Sequence, residues 1–453
     1  MGQDALLTIQ EAGACAHRLF ECNGQLSQKS AKMFKKCLLP GSNFLPKQRV
    51  KSSLDEHFAM KKASRCTLLA AYMAAALLTG CGGSSDSLPP TLTWTAGSSN
   101  SPVVVGPGTG PGTGDPVPFV PPTEPLGGSY LYVTETEGDA LGVYDPDTYQ
   151  LVARVPVGDV PRGLTFDSSR ERVLVSLTNG SVVSLDANDL EAPPQSTAPV
   201  VDDGSLAILY DLANDAVWVA SLSETNNVVA LAAATLTPLS NSPILDSDLI
   251  GMGSIEVEPA GEKTYITRSV VDSPAVAVID ATTRTLLHVV DTSGSITGIG
   301  KAADGVIYDF ARDRLYVGNV DFSMDGEDSI VILDAALDPP PIIGQVLCGP
   351  GPTSMALDSA RSRLYVANFN NAAVQVFSIS ATAPYLTLLQ TLPCEGETVS
   401  VVYDSEHDRI VASNYAFDNL SVFNAATLEE LPGSPFPAGD GPNSLCFGNV
   451  TGP

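Results

Sequence analysis

The sequence predicts an all-β body in which one four-stranded unit is repeated, and three observations lead to that prediction. Short apolar runs alternate with turn residues along residues 129–450, and the runs recur at a nearly constant spacing. Gly (39) and Pro (34) are plentiful, as expected for a fold with many turns. No long stretch of helical periodicity interrupts the pattern.

Each repeat opens with an apolar run, and six of the seven copies end in an acidic residue. The copies are GLTFD (163–167), AILYD (207–211), SIEVE (254–258), GVIYD (305–309), SMALD (354–358), SVVYD (400–404) and SLCFG (444–448). A turn and a second run follow most copies, as in RLYVG (314–318), then a third run such as SIVILD (329–334) and a less regular fourth. Four strands per repeat predict the blade of a β-propeller.

The two ends of the body determine the number of blades. The body opens with a run of the second type, YLYVT (130–134), and closes with a lone run of the first type, SLCFG. The C-terminal strand should therefore complete the first blade, which closes the ring and removes free sheet edges. We expect a seven-bladed β-propeller over residues 129–450.

The head of the chain is typical of a targeting signal. Residues 60–80 combine Lys61, Lys62 and Arg65 with a short apolar run, which is too short for a permanent membrane span but suits a signal peptide. The sequence then reads LTGC, and this resembles a bacterial lipobox in which Cys81 is lipidated. The alternative is an ordinary signal peptide with a chance Cys. Because a signal peptide should be N-terminal, we interpret residues 1–59 as an extension added by the gene model, with translation starting at Met60, or as an unstructured leader.

Residues 81–128 follow this signal and are dominated by Gly, Pro, Ser and Thr. Such a segment buries too little apolar surface to offset its ordering entropy, and its prolines favour an extended spacer. We expect a tether between a lipid anchor and the propeller. Gly82 after the Cys resembles the sorting pattern of outer-membrane lipoproteins, which implies a location facing the periplasm or the cell surface.

The charge of the body limits its partners. The chain carries 24 Lys and Arg against 51 Asp and Glu, and 11 of the basic residues lie in residues 1–80. The body is therefore strongly acidic, which argues against nucleic-acid binding because phosphates need clustered basic groups. An acidic body permits cation binding and favours solubility.

Two neighbouring positions in the first strands differ in how they vary. Four residues before the acidic position all seven copies have a small residue: Gly163, Ala207, Ser254, Gly305, Ser354, Ser400 and Ser444. The preceding residues vary: Arg162, Leu206, Gly253, Asp304, Thr353, Val399 and Asn443. We interpret the small position as close packing of the inner strands and the variable position as a ring around one mouth of the channel. The binding candidates are Arg162, Asp304, Thr353 and Asn443.

The phrases YVTE, YVGN and YVAN, together with VPVGDVPRGLTFD (155–167), resemble bacterial YVTN-type propellers. Those are related to the seven-bladed propellers of the lactonase family. The resemblance implies the fold over about 129–450 and leaves the activity open, because the phrases are structural. The relation to the lactonase family also implies an alternative activity, the hydrolysis of a sugar lactone.

A repeated Asp and Arg pattern joins Asp309 to Arg312 and Arg314, and Asp358 to Arg361 and Arg363. Because the group occurs in several blades, we interpret it as a structural fastener of turns. Only two His residues, His288 and His407, follow Cys81, which is few for a His-based metal site or a catalytic triad. Both are interpreted as structural or exposed.

One loop resembles half of a calcium-binding loop. Asp321, Ser323 and Asp325 have the alternating spacing, Gly326 supplies the bend and Asp328 adds charge, but the twelfth position is Ile332 rather than Glu. An acidic hairpin loop without metal is the alternative.

Cys348 and Cys394 occupy equivalent positions in adjacent repeats, so a disulfide is a further hypothesis in an oxidising compartment. Cys446 is interpreted as a buried small apolar residue.

The sequence therefore favours a lipid-anchored, monomeric binding or scaffold module for a protein, peptide or glycan ligand. The alternative is a lactonase-type hydrolase, and whether the chain is an enzyme stays open, with the balance against it. Among the seven mouth positions only Arg162 and Asp304 are charged, which is sparse for hydrolysis. Apart from possible calcium, no cofactor is expected.

Overall fold

A computed structural model describes residues 118–123, 126–202, 204–223, 228–270, 273–294, 302–320 and 328–452. These residues form seven four-stranded sheets and two short 3-10 helices, Phe369–Asn371 and Tyr415–Phe417. The predicted all-β, seven-bladed propeller is confirmed. Within these ranges, no helix has the length and apolar character that crossing a membrane requires. The signal peptide, Cys81, Asp321, Ser323 and Asp325 lie outside the described residues.

The strands follow the predicted order along the chain. Blade 1 contains β1 (Gly128–Glu135), β2 (Ala140–Tyr144), β3 (Leu151–Pro156) and the closing strand β28 (Pro442–Val450). Blade 2 contains β4 (Pro161–Asp167), β5 (Arg172–Leu177), β6 (Val182–Asp186) and β7 (Gln195–Ser196). Blade 3 contains β8 (Ser205–Asp211), β9 (Ala216–Ser221), β10 (Val228–Ala232) and β11 (Thr237–Pro238). Blade 4 contains β12 (Met252–Val257), β13 (Lys263–Arg268), β14 (Ala275–Asp280) and β15 (Thr285–Asp291).

The last three blades repeat the same arrangement. Blade 5 contains β16 (Ala302–Asp309), β17 (Arg314–Val320), β18 (Asp328–Asp334) and β19 (Ile342–Cys348). Blade 6 contains β20 (Pro352–Asp358), β21 (Arg363–Asn368), β22 (Ala373–Ile379) and β23 (Leu386–Pro393). Blade 7 contains β24 (Thr398–Asp404), β25 (Arg409–Asn414), β26 (Asn419–Asn424) and β27 (Phe436–Pro437). The irregular fourth strand is only two residues long in blades 2, 3 and 7.

The ring closes as the sequence predicts. Strand β28 pairs antiparallel with β1, in a register that sets Leu131 opposite Phe447 and Tyr132 opposite Cys446. The order within blade 1 is β28, β1, β2, β3. The last strand of the chain therefore lies innermost in the first blade.

The core lies between the blades. Every residue of β9, AVWVAS, is buried, because a blade inside the ring packs against a neighbour on both faces. One cluster joins Leu174 of blade 2 to Val217 of blade 3, and another joins Tyr316 of blade 5 to Phe377 of blade 6. This burial explains why the middle strands are continuous apolar runs rather than alternating ones.

Candidate functional site

The variable mouth position lies in a β-bulge in every blade. The register between the inner strand and its neighbour shifts at this position in blades 2 to 7, between Pro161/Leu164, Ser205/Ala207, Met252/Ile255, Ala303/Val306, Pro352/Ser354 and Thr398/Ser400. In blade 1 the shift falls between Val133 and Glu135, opposite Leu445 and Pro442. A bulge takes residues out of the ladder and re-aims their side chains. The seven variable residues thus all lie at a shift in the strand ladder.

The small position beside each bulge is the point of closest approach between inner strands. A Cβ atom on Gly163 would lie 2.7 Å from the Leu206 carbonyl oxygen and 2.9 Å from the Ile208 nitrogen. A Cβ on Gly305 would lie 3.0 Å from the Thr353 oxygen. These contacts are with the inner strand of the next blade, so they support the sequence interpretation of close packing.

A hydroxyl group links each of several bulges to the next blade. The Thr267 hydroxyl accepts a hydrogen bond from the Ser254 nitrogen (2.8 Å) and donates to the Asp304 carbonyl oxygen (2.7 Å). Thr134 acts in the same way between the Ser444 nitrogen (2.9 Å) and the Arg162 oxygen (3.1 Å). Ser413 repeats the arrangement between the Ser400 nitrogen (3.1 Å) and the Asn443 oxygen (2.7 Å). These hydroxyls hold the backbone of three mouth residues in place.

Sequence reasoning missed these hydroxyls, although a signal exists. The fifth residue of the second apolar run, counted from YLYVT in blade 1 and RLYVG in blade 5, is Thr134, Ser176, Ala220, Thr267, Gly318, Ala367 and Ser413 in blades 1 to 7. Four of the seven carry a hydroxyl at a position that is otherwise apolar.

The Thr267→Val variant should lower the free energy of unfolding by about 1–3 kcal/mol. The substitution keeps the shape of the side chain but leaves a buried N–H and a buried carbonyl without their partner. Thr264→Val is a matched control on the same strand, because the buried Thr264 hydroxyl has no hydrogen-bond partner in the described part of the chain. Urea denaturation of both variants measures the difference, and equal midpoints would contradict the role of the Thr267 hydroxyl.

The four predicted binding residues occupy the same bulge position in four different blades. Arg162 and Asp304 are buried, at 9% and 6% exposure. Thr353 and Asn443 are half-buried. The Thr353 hydroxyl donates to the Val399 carbonyl oxygen (2.9 Å), so it helps to hold the neighbouring mouth residue.

Asp304 has an unusual electrostatic environment. Burial raises the pKa of its carboxyl group to about 7. Among the described residues, no hydrogen bond or ion pair reaches the carboxylate. The nearby hydroxyl of Ser269 instead donates to the Ala303 carbonyl oxygen (2.6 Å), as Thr267 donates to the Asp304 backbone. A buried carboxyl group without a counter-charge is typical of functional sites.

Glu256 is a second carboxyl group with a perturbed pKa on an inner strand. It lies on β12 in blade 4 and is half-buried. Burial raises the pKa of Glu256 to about 8. Its position in the repeat holds Thr, Leu, Ile, Ala, Val or Cys in the other blades, so nothing in the repeat pattern marks Glu256.

The repeated Asp and Arg residues fasten one blade to the next. Asp309 Oδ2 accepts from Arg312 (2.9 Å), and Arg312 also donates to the Ser362 hydroxyl of blade 6 (2.7 Å). Arg314 donates to the Ser380 and Ala381 carbonyl oxygens of blade 6, both at 2.7 Å. Asp358, Arg361 and Arg363 make the corresponding contacts between blades 6 and 7. The interpretation as scaffold holds, with the addition that the fastening runs between blades.

The asparagines of the YVGN and YVAN phrases are also structural. Asn319 and Asn368 are fully buried, and their amide groups donate to the Thr292 and Gly349 carbonyl oxygens. Each accepting carbonyl lies just after the outer strand of the preceding blade. The phrase therefore marks a clasp on the chain where it crosses from one blade to the next.

A buried ion pair lies where the ring closes. Glu135 Oε2 is 2.7 Å from Arg154 Nε, and Glu135 Oε1 accepts from the Tyr144 hydroxyl (2.9 Å). The Tyr144 hydroxyl accepts from the Gly439 nitrogen (3.0 Å), in the loop before the closing strand. A Cβ on Gly439 would lie 1.9 Å from Glu135 Cδ, so only glycine fits there. The Arg154 backbone also pairs with Val120, which extends blade 1 beyond its outer strand.

The remaining candidates of the sequence analysis have structural settings. Cys348 packs in the layer between blades 5 and 6, and Cys394 packs in the layer between blades 6 and 7. Both are thiols, and the structure does not contain the disulfide between them. Equivalent positions on adjacent blades face different layers, which is why sequence spacing misled. Burial raises the pKa of the Cys446 thiol to about 12, as suits an inert residue.

The two histidines each pair with an aspartate. His407 Nδ1 lies 2.7 Å from Asp404 Oδ2, in place of the first Arg of the fastener. His288 Nε2 lies 3.1 Å from Asp338 Oδ1.

The metal hypothesis receives no support from the part of its loop that the structure describes. Asp328 is buried, and its carboxylate accepts from the Gly351 nitrogen (2.7 Å). Within the described ranges, no group of three or more His, Cys, Asp or Glu side chains is arranged to hold a metal.

A groove of about 260 Å³ lies on blade 2, away from the mouth. It is lined by Arg170, Arg172, Ser184, Asp186, Ala192, Pro193 and Gln195. Its two arginines pair with Asp167 as part of the fastener between blades. The charged lining of this groove thus belongs to the contacts that hold the blades together.

Comparison with known proteins supports the fold. A family model described as lactonase, 7-bladed β-propeller, matches residues 341–443, from the outer strand of blade 5 to the start of β28. No curated protein sequence matches the chain.

Many solved structures share the architecture. A hydrazine synthase chain of Kuenenia stuttgartiensis is 14% identical, with a TM-score of 0.55 over 66% of this chain and 92% of that chain. The periplasmic gluconolactonase PpgL of Pseudomonas aeruginosa is 15% identical, with a TM-score of 0.54 over 72% and 99%. A functionally unknown protein of Desulfotomaculum acetoxidans is 15% identical, with a TM-score of 0.52 over 70% and 98%. At these identities the likeness concerns the fold, and the fold hosts unrelated functions.

Proposed function

We propose that this lactonase-like seven-bladed propeller is a binding module that holds a protein, peptide or glycan ligand at the channel mouth. The observation that carries the proposal is the ring of bulges, which places seven variable residues at register shifts beside the inner strands. Elsewhere the repeated polar residues are engaged in holding blades together. A scaffold position repeats from blade to blade, whereas a recognition position varies.

The proposed location follows from the head of the chain. A lipidated Cys81 and the tether of residues 81–128 would hold a monomeric propeller at the outer membrane, facing the periplasm or the cell surface. The support is the order of basic residues, apolar run and Cys in the sequence. In such a place the mouth would meet soluble or membrane-bound ligands.

Lactone hydrolysis is the second candidate, and one observation favours it. A carboxyl group with a pKa of about 7, as in Asp304, is poised to act as a general base near neutral pH. Attack on a lactone also needs groups that stabilise the developing oxyanion. The other mouth residues supply only one cationic side chain, Arg162, so binding remains the preferred function.

The Asn443→Trp variant tests the binding proposal, because an indole at this half-buried position should obstruct the mouth. Ligands captured by the wild-type chain from periplasmic and membrane extracts should be lost. Gln195→Trp places the same side chain on an exposed outer strand of blade 2, and it should retain them. Mass spectrometry identifies the ligands, and retention by Asn443→Trp would argue against the mouth.

A hydrolysis assay with glucono-δ-lactone separates the two functions. For a binding module we expect no turnover above the spontaneous rate. Turnover that disappears in Asp304→Asn would establish the lactonase alternative instead.

A further inference from the structure

The carboxyl group of Asp304 has no partner in the part of the protein that the structure describes. Asp304 is only 6% exposed. No described side chain forms a hydrogen bond or an ion pair with its carboxyl group. Asp304 lies in the bulge near the start of β16. A buried carboxylate in this state loses hydration without compensation, so a ligand that supplies a donor or a positive charge would be bound tightly.

Two hydroxyl groups of blade 4 that lie beside Gly253 are already used as donors. The hydroxyls of Thr267 and Ser269 flank Gly253, and both donate to carbonyl oxygens of blade 5. Gly253, the equivalent mouth residue of blade 4, has no side chain to reach the carboxylate. A Cβ built on Gly253 would lie 3.7 Å from Asp304 Oδ1. The position beside the carboxylate is thus occupied by backbone rather than by a polar side chain.

The charge of the body and the residues of the mouth indicate which type of ligand Asp304 would bind. A metal ion needs several ligands, and the described residues offer no such group around Asp304. The acidic balance of the body attracts cations to its surface. Two further variable positions, Leu206 in blade 3 and Val399 in blade 7, are half-buried and apolar, so the ring of variable residues also offers apolar surface to an aliphatic stem.

We propose that the mouth binds a primary ammonium group, carried on an aliphatic stem such as a lysine side chain, with Asp304 as its counter-ion. The proposal rests on the binding function proposed above and specifies its chemistry. On binding, the ammonium donates to the Asp304 carboxylate, which is a charge-assisted hydrogen bond in a site with little water. The burial that perturbs Asp304 in the empty site then strengthens the ion pair in the complex.

Calorimetric titration with two capped peptides tests the proposal on the full chain. The probes are acetyl-Gly-Gly-Lys-Gly-Gly-amide and the same peptide with acetyl-lysine, which keeps the stem but removes the charge. The wild type should bind the lysine peptide at least about tenfold more tightly than the neutral peptide, because one such ion pair is worth about 1.5–3 kcal/mol. Asp304→Asn should abolish that preference.

Controls separate the chemistry from the site. Glu191→Gln removes one negative charge at an exposed turn of blade 2 and should leave the preference intact, which excludes a general effect of net charge. Equal affinity for the two peptides, or undetectable binding of both, would overturn the ammonium proposal. The proposed function would survive either result if Asn443→Trp still loses the ligands captured from extracts, and it would fail separately if Asn443→Trp retains them.

Discussion

Replacing Arg154 with Met should lower the free energy of unfolding by about 3–5 kcal/mol, because the substitution leaves a buried carboxylate without its counter-ion. Glu135 is 1% exposed and Arg154 holds it through Nε at 2.7 Å and Nη2 at 3.1 Å. Burial raises the pKa of Glu135, while the charge of Arg154 acts in the opposite direction. Without Arg154 the carboxyl group must either take up a proton or remain charged in an apolar setting.

The location of this pair makes the effect large. Glu135 ends β1, Arg154 lies on β3, and Tyr144 connects the carboxylate to the loop that leads into β28. The pair therefore stabilises the seam at which the two ends of the propeller meet. Loss of the pair should loosen the closing strand before the other blades.

Chemical denaturation at pH 7 measures the expected loss. Arg154→Lys should give an intermediate value, since an ammonium keeps the charge but not the planar fork of the guanidinium. The double variant Glu135→Gln, Arg154→Met should recover much of the stability, because it no longer buries a lone charge. A double variant as unstable as Arg154→Met would refute the explanation by charge.

Replacing Asp304 with Asn should have the opposite effect and stabilise the protein by about 4 kcal/mol at pH 8. The pKa of Asp304 is about 7 in the folded protein against 3.8 for an ordinary aspartate, and a pKa difference of this size corresponds to about 4 kcal/mol. The folded state holds the proton more tightly than the unfolded chain. Stability contributed by the protonated group is therefore full below about pH 4 and is lost as the pH rises to about 7.

The pH profile distinguishes this effect from a general change in packing. The wild type should lose stability between about pH 4 and pH 7, and Asp304→Asn should lose less over the same interval. Glu256, with a pKa of about 8, should contribute a separate loss that extends to higher pH in both proteins. Parallel profiles for wild type and Asp304→Asn would show that Asp304 is ionised normally. If Asp304→Asn both stabilises the protein and removes ligand binding, then the stability lost through Asp304 is the usual cost of a functional site.

The repeat explains how much of the fold was predictable. Apolar runs such as GVIYD and RLYVG are local patterns, and their regular spacing predicts blades without knowledge of contacts. The unmatched runs YLYVT and SLCFG predict the closure, because a ring requires that each blade be complete. The small residues Gly163 and Gly305 predict crowding of the inner strands, because a small residue recurs at this position in every copy.

Pairings between distant residues were not predictable in this way. Glu135 and Arg154 occur once, so no repetition marks them, and only the closure of the ring brings them to Gly439. The proposed disulfide between Cys348 and Cys394 failed because equivalent positions on neighbouring blades face different interblade layers. The position of a residue within its repeat predicts the strand on which it lies and its place along that strand. It does not predict which side chains of other blades surround it.

The sequence by itself determined the architecture of this protein: seven four-stranded blades, a ring closed by the last strand, and a ring of variable residues beside a ring of small ones. Those features depend on strand period and turn spacing, which act locally and repeat. Only the tertiary structure decided that the variable residues lie in bulges and that Asp304 is buried with no partner among the residues that the structure describes. Burial arises because the blades pack together, and this burial raises the pKa of the Asp304 carboxyl group above that of an ordinary aspartate.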